Sequence, residues 1–231
     1  MSARGDTVRG VTEPADLRAT RTAYDTVAFD YAALLRDELD RMPLERALLA
    51  TFAELVRDGG DRPVADLGCG PGRVTAYLAA LGLTAFGVDL SPAMVAVARE
   101  AHPDLRFDEG SMTALDIGAG ALGGILAWYS IIHTPPARLP AVFAEFFRVL
   151  APGGYLLLAF QAGDHHVHLE HAYGHAIALD AYRLDPELIS ELLARAGIAV
   201  SARTVREPEA NEKTPQAYLL ARKTADTSSG S

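Results

Sequence analysis

The strongest chemical signature in this 231-residue chain is Asp66-Leu67-Gly68-Cys69-Gly70-Pro71-Gly72. Glycines at 68, 70 and 72 let the backbone turn tightly and let a ligand approach with no side chain in the way. A helical pattern follows directly, so free N–H groups point into the same place. Dinucleotide phosphates prefer glycines spaced G-x-G-x-x-G. Here the spacing is G-x-G-x-G and an acid, Asp66, stands just before it. A carboxylate there repels a pyrophosphate and suits an amino group. Asp89 follows at the end of the next apolar run, about 20 residues on, where an acid takes ribose hydroxyls. Together these residues ask for a ligand with a ribose, a cationic group and little phosphate.

The pair D-L-G-C-G-P-G and F-G-V-D-L-S, over about residues 64–91, resembles the class I S-adenosylmethionine-dependent methyltransferases. Element order extends the resemblance over about 20–223, including a closing reversed hairpin typical of that family. S-adenosylmethionine has a ribose, an α-amino group and a sulfonium, and no phosphate. The resemblance implies that Asp66 and Gly68 hold the methionine end, and that Gly70 and Gly72, with Cys69 in the same loop, allow close approach. It implies that Asp89 takes both ribose hydroxyls, that Leu90 and Met94 flank the adenine, and that Trp128 belongs to the same cofactor set. Many members carry Gly-Asp-Ala or Gly-Asp-Met after the third strand, with the Asp on the adenine amino group. This chain has Gly110-Ser111-Met112, which leaves Ser111 as an acceptor and the Met112 N–H for the ring. The segment Tyr24-Asp25-Thr26-Val27-Ala28-Phe29-Asp30-Tyr31 is similar to the Y-D-x-x-A-x-x-Y lids of small-molecule members, in which one tyrosine reaches the methionine carboxylate. The plainer alternative is that Tyr24 and Tyr31 are core of a capping helix.

Methyl transfer mainly requires orientation and exclusion of water. A base is needed only when the nucleophile starts protonated. The fourth strand runs out into Trp128-Tyr129-Ser130-Ile131-Ile132-His133-Thr134-Pro135-Pro136. His133 is the best base candidate, since imidazole titrates near neutrality, and Tyr129 is the second. Alternatively His133 caps the next helix and Tyr129 lines the cofactor pocket. The Asn/Asp-Pro-Pro-Tyr/Phe motif of many base methylases is absent. Five of the seven histidines lie between positions 165 and 175. Three readings compete for His165, His168, His171 and His175: a solvated loop, a substrate-contacting lid with a histidine base, or a metal site. On a helix, His171 and His175 would share a face. The segment Arg206–Lys213 is rich in acids, which suits a cationic acceptor or a solvated hairpin tip.

These residues need a scaffold of alternating strands and helices. Apolar runs at 63–67, 84–88, 105–107, 122–128, 155–160, 198–205 and 217–221 read as strands. Helical patterns cover 16–40, 43–57, 73–81, 92–101, 138–150 and 186–196, with Ser91 and Pro92 as N-cap and first turn of the fourth. The alternation predicts an α/β fold: a doubly wound, seven-stranded, mostly parallel Rossmann-like sheet with an antiparallel last strand and N-terminal capping helices. One domain is expected over 16–223, a helical lid at 16–58 and a core at 62–223, between flexible ends at 1–15 and 224–231.

Composition narrows the partners. Lys+Arg number 21 and Asp+Glu 30, a net charge of −9. That argues against a nucleic-acid binder and against anionic membranes. Cys69 is the single cysteine, so no internal disulfide is possible. No apolar run approaches a membrane span, and the N-terminus lacks a signal-peptide core, so a cytoplasmic protein is expected. Only Lys213 and Lys223 are lysines among the 21 basic residues and alanine is abundant, which suggests a GC-rich bacterial gene. The expected acceptor is a small molecule or peptide, methylated at O or N, possible in secondary metabolism, on a monomer or homodimer. The rivals are an NAD(P)-dependent oxidoreductase and a non-catalytic S-adenosylmethionine-binding protein.

Overall fold

Apolar runs that are buried on both faces favour parallel pairing under helices, and four of them do so here, with the short strand Phe107–Glu109 added at the edge. The computed structural model describes residues 13–209 and 212–224. Strands β1 (Val64–Leu67), β2 (Ala85–Asp89), β3 (Phe107–Glu109), β4 (Leu122–Trp128) and β5 (Leu150–Gln161) pair in parallel in the order β3-β2-β1-β4-β5. A two-stranded ribbon, β6 (His166–Ala172) and β7 (His175–Tyr182), stands apart from this sheet. Strand β9 (Gln216–Lys223) lies antiparallel beside β5 and carries β8 (Ile198–Arg206) as the edge. The seven-stranded sheet with a reversed last strand is the one expected. Most of the ends expected to be loose, 1–15 and 224–231, lie outside the described residues.

Among the described residues six α-helices accompany the strands: α1 (Ala15–Leu35), α2 (Pro43–Asp58), α3 (Arg73–Ala80), α4 (Pro92–Ala101), α5 (Leu139–Val149) and α6 (Pro186–Arg195). The alternation along β4 sorts them. Ile125 and Ala127 pack with Phe143 of α5 and Ile189 of α6. Leu126 and Trp128 pack with Phe52 of α2 and Leu78 of α3. Helix α1 ends at Leu35 rather than near Asp40, and a 3-10 turn at Leu39–Arg41 follows. Arg46 Nη1 donates to the carbonyls of Leu39 and Asp40, both at 2.6 Å, satisfying the ends of that turn. No helix among the described residues is long and apolar enough to cross a membrane.

The ribbon departs from the sequence reading, which left residues 165–175 as a loop or helix. Tyr173 and Gly174 both have left-handed backbones, φ 53° and 84°, and Ala172 pairs with His175 across them. Two such central residues make the hairpin turn that matches strand twist. His171 and His175 therefore share no helical face.

Candidate active site

The glycine loop is built by what its neighbours forbid. Gly68 has φ 74°, and a Cβ there would lie 2.3 Å from the Ser130 Cβ. Ser130 is fixed, since its Oγ donates to the Leu67 carbonyl at 2.6 Å. Gly72 has φ 81° and sits against the Phe107 ring. Gly70 differs: a Cβ there would meet only Tyr31, at 3.8 Å, so this position opens on a cleft. Gly68→Ala should cost about 2–6 kcal/mol, combining left-handed strain with overpacking. Gly120→Ala, with φ 66° and its nearest neighbour at 4.0 Å, should show the strain alone. Equal losses in denaturant midpoint would remove the steric argument for Gly68.

Asp89, at the end of β2, braces the same loop. Its Oδ2 accepts from the Gly70 N–H at 2.7 Å and its Oδ1 from the Ser91 N–H at 2.8 Å. Burial pushes its pKa up, opposed by those two N–H groups. The cleft beside it has a volume of about 890 Å³. Tyr24, Tyr31, Gly68, Gly70, Asp89, Leu90, Met94, Ser111, Met112, Trp128, Tyr129 and His133 all line it. Asp66, Cys69 and Gly72 do not. The Asp66 carboxylate is turned behind the loop, where Oδ2 accepts from Thr75 Oγ1 at 2.6 Å. Burial raises its pKa to about 7. It sits where it anchors β1 to α3, away from the position that the resemblance gives it. Cys69 packs with Val95, Ala98 and Phe107.

Helix α1 lies across the cleft and is tied to both walls. Arg21 Nε donates to the Leu90 carbonyl at 3.1 Å. Asp25 Oδ1 accepts from Ser91 Oγ at 2.5 Å and from the Ala93 N–H at 3.2 Å. Arg138 Nη1 pairs with Asp16 Oδ2 at 2.5 Å. Sequence reasoning missed all of these. Asp25 lies inside the Y-D-x-x-A-x-x-Y segment and had a signal; Arg138 and Asp16, 122 residues apart, had none.

A second chamber, about 1550 Å³, opens beneath α1 and the ribbon. Tyr24, Tyr31, Trp128, Tyr129 and His133 line both spaces. His133 sits at their junction, on a 3-10 turn after β4. Its Nδ1 is 2.8 Å from the Asp180 carbonyl and its Nε2 is 2.7 Å from Tyr24 Oη. A backbone carbonyl only accepts, so Nδ1 carries the proton and Nε2 accepts from the Tyr24 hydroxyl. Burial lowers the His133 pKa, and the nearby Arg183 charge adds to this. The imidazole is a neutral base with a defined tautomer.

Tyr129 has a left-handed backbone, φ 55°, at the sharp end of β4. Such strain is characteristic of functional sites. Its hydroxyl is 3.1 Å from the Tyr218 hydroxyl, which donates to Glu45 Oε1 at 2.6 Å. Burial raises the Tyr129 pKa. With that proton directed toward Tyr218, Tyr129 serves better as a wall than as a base.

The ribbon supplies a wall of the second chamber, through Leu169, Tyr173, Leu179 and Ala181. Strand alternation turns its histidines elsewhere. His166 Nε2 and His168 Nδ1 both bond Asp180 Oδ1, at 2.7 and 2.8 Å, on exposed surface. His175 Nε2 bonds Asp30 Oδ2 of α1 at 2.7 Å. The expectation that His165, His168, His171 and His175 bind substrate is not met by this geometry, since none of them lines either space. Among the described residues no group of three or more His, Cys, Asp or Glu could hold a metal ion. The acids near Arg206 are also committed. Glu212 takes both Arg206 Nη atoms, at 2.7 and 2.8 Å, and Glu45 takes Nη2 at 3.0 Å.

A family model described as "Methyltransferase domain" matches residues 64–154. An uncharacterised methyltransferase of Synechocystis is 34% identical over 95 residues, 41% of this chain and 45% of that protein. The demethylmenaquinone methyltransferase of Beutenbergia cavernae is 31% identical over 149 residues, 60% of this chain and 61% of that one. The chain thus spans about half the length of the curated relatives it matches. The magnesium protoporphyrin IX methyltransferase of Synechocystis, solved with bound S-adenosylmethionine, superposes with a TM-score of 0.68 at 18% identity, over 92% of this chain and 99% of that one. A [4+2]-cyclase superposes with a TM-score of 0.65 at 16% identity, over 92% and 97%. At such identities the likeness is one of fold.

Proposed function

We propose that the chain is a class I S-adenosylmethionine-dependent methyltransferase, that it binds S-adenosylmethionine in the cleft over Gly70, and that it transfers the methyl group to an O or N atom of a small molecule or peptide in the adjoining chamber. The observation that carries this reading is the junction: His133 and Tyr24 line both spaces at once.

The residues present fit the cofactor. Asp89 offers a carboxylate at the cleft, and each of its oxygens keeps a second lone pair for a ribose hydroxyl. The cations in the cleft wall are already paired, Arg21 with Glu13 and Arg138 with Asp16. That favours a sulfonium compound over a dinucleotide diphosphate. Leu90, Met94, Ser111 and Met112 would frame the adenine. Tyr31 and Arg73 would receive the α-carboxylate, since Arg73 Nη1 is buried without an acceptor among the described residues. When bound, S-adenosylmethionine supplies a methyl group already activated by its sulfonium.

The chain supplies orientation, dryness and a proton path. Helix α1 and the ribbon exclude water from the junction. The Tyr24 oxygen can take the acceptor's proton as its own passes to His133 Nε2, while His133 Nδ1–H stays on the Asp180 carbonyl. A hydroxyl or ammonium acceptor needs this path; an ionised one does not.

The test is transfer from methyl-labelled S-adenosylmethionine to a pool of low-molecular-weight acceptors. Label should appear in a small organic product, one for one with S-adenosylhomocysteine. A chain that binds S-adenosylhomocysteine yet labels nothing would instead be the non-catalytic binder. Labelled RNA or DNA would contradict the small-molecule reading.

A further inference from the structure

Two cations of the second chamber's wall lack a carboxylate partner among the described residues, the exposed Lys213 and the partly buried Arg183. Each of the chamber's carboxylates has an arginine partner, although Arg206 is shared. Glu38 Oε2 is 2.6 Å from Arg73 Nη2. Glu45 and Glu212 are both held by Arg206. Arg183, on the chamber wall after β7, has no carboxylate partner among the described residues. Its side chain bonds only the neutral amide oxygen of Gln161. Its Nε is buried and has no acceptor there.

A guanidinium cannot shed its proton to escape this situation. A buried N–H without an acceptor and a cation without a counterion are each costly, and a bound anion relieves both. The planar fork of Arg183 matches a carboxylate, which it can hold through two parallel hydrogen bonds. The chamber wall is mixed, with Leu169, Leu179 and Ala181 beside Gln161, Thr214 and Gln216. The acidic loop does not oppose this, because Arg206 occupies Glu212.

We infer that the methyl acceptor is a small organic acid, anchored by a carboxylate on Arg183. This rests on the reading of the chamber as the acceptor site. Arg183 is then a specificity residue that binds substrate at a point apart from the Tyr24–His133 pair. The proposal gives it no part in holding the cofactor: Arg73 opens α3 directly after the glycine loop, whereas Arg183 follows β7 on the far wall of the chamber.

The probes are benzoate and hexanoate, each against its primary amide, titrated by calorimetry with and without saturating S-adenosylhomocysteine. The acids should bind at least about tenfold more tightly than the amides, the size of one charge-assisted contact. Arg183→Gln should erase that preference and Arg183→Lys should retain part of it. Both variants should bind S-adenosylhomocysteine as the wild type does. Amides that bind as well as acids, acids that do not bind, or an acid preference that survives Arg183→Gln would each overturn the proposal. Should Arg183→Gln not fold, the acid–amide comparison on the wild type decides alone. Failure to bind S-adenosylhomocysteine would count against the methyltransferase reading, and the titrations without it still judge Arg183.

Discussion

Asp89→Asn is expected to weaken S-adenosylhomocysteine binding by two to three orders of magnitude. The carboxylate has two jobs. It accepts from the N–H groups of Gly70 and Ser91, and it presents its remaining lone pairs to the cleft. An amide has one oxygen and a donating NH2, so it must aim donor at donor on one side. Hydrogen bonds to charged groups are worth about 1.5–3 kcal/mol each, and two ribose contacts are at stake. Two to three orders of magnitude correspond to about 3–4 kcal/mol. The protein should still fold, because Asp89 sits at a strand end and leaves the core intact; a cooperative melt checks this. Binding within about threefold of wild type would sink the assignment.

Removing His133 should act on the other side of the junction. With a hydroxyl-bearing acceptor, His133→Ala should lower turnover by about 10²–10⁴ and leave S-adenosylhomocysteine affinity unchanged. Tyr24→Phe should cost a similar factor, and the double variant should cost little more than either, because one proton path is cut in each case. A structural role would move the affinity or the melting temperature instead. The pH profile supplies a second check. The base works only when unprotonated, and burial lowers the His133 pKa from its usual 6.5. The acidic limb of turnover should therefore lie below pH 6.5, with a flat profile above it. A limb at or above that value, or His133→Ala turnover equal to wild type, would remove His133 as the base.

The fold was legible because its signals are local. Buried runs such as 122–128, and the caps at Ser91 and Pro92, each specify an element within a few residues. The site was legible where function restricts the backbone. Gly68, Gly70 and Asp89 had to be those types, and the structure brings them to one cleft. Asp66 suits two roles by type: its Oδ2 accepts from Thr75 on α3, and its Oδ1 is buried without a partner among the described residues. The density of the histidines drew notice from the alternation beneath them. Val167, Leu169, Leu179 and Ala181 set the ribbon, and the imidazoles fell to its outer face or edge. Arg183 gave no signal, since a lone arginine just past a strand end becomes distinctive only when its partners are known. Tyr218, buried at 1% exposure and bonded to Glu45 173 positions away, lay equally beyond local reading.

Calorimetric titration of the wild-type chain with S-adenosylhomocysteine, and with NAD in a parallel run, tests the central claim most directly. Saturable, one-to-one binding of S-adenosylhomocysteine with no heat from NAD is the expected result. NAD binding without S-adenosylhomocysteine binding would contradict it, and would assign the cleft over Gly70 to an oxidoreductase.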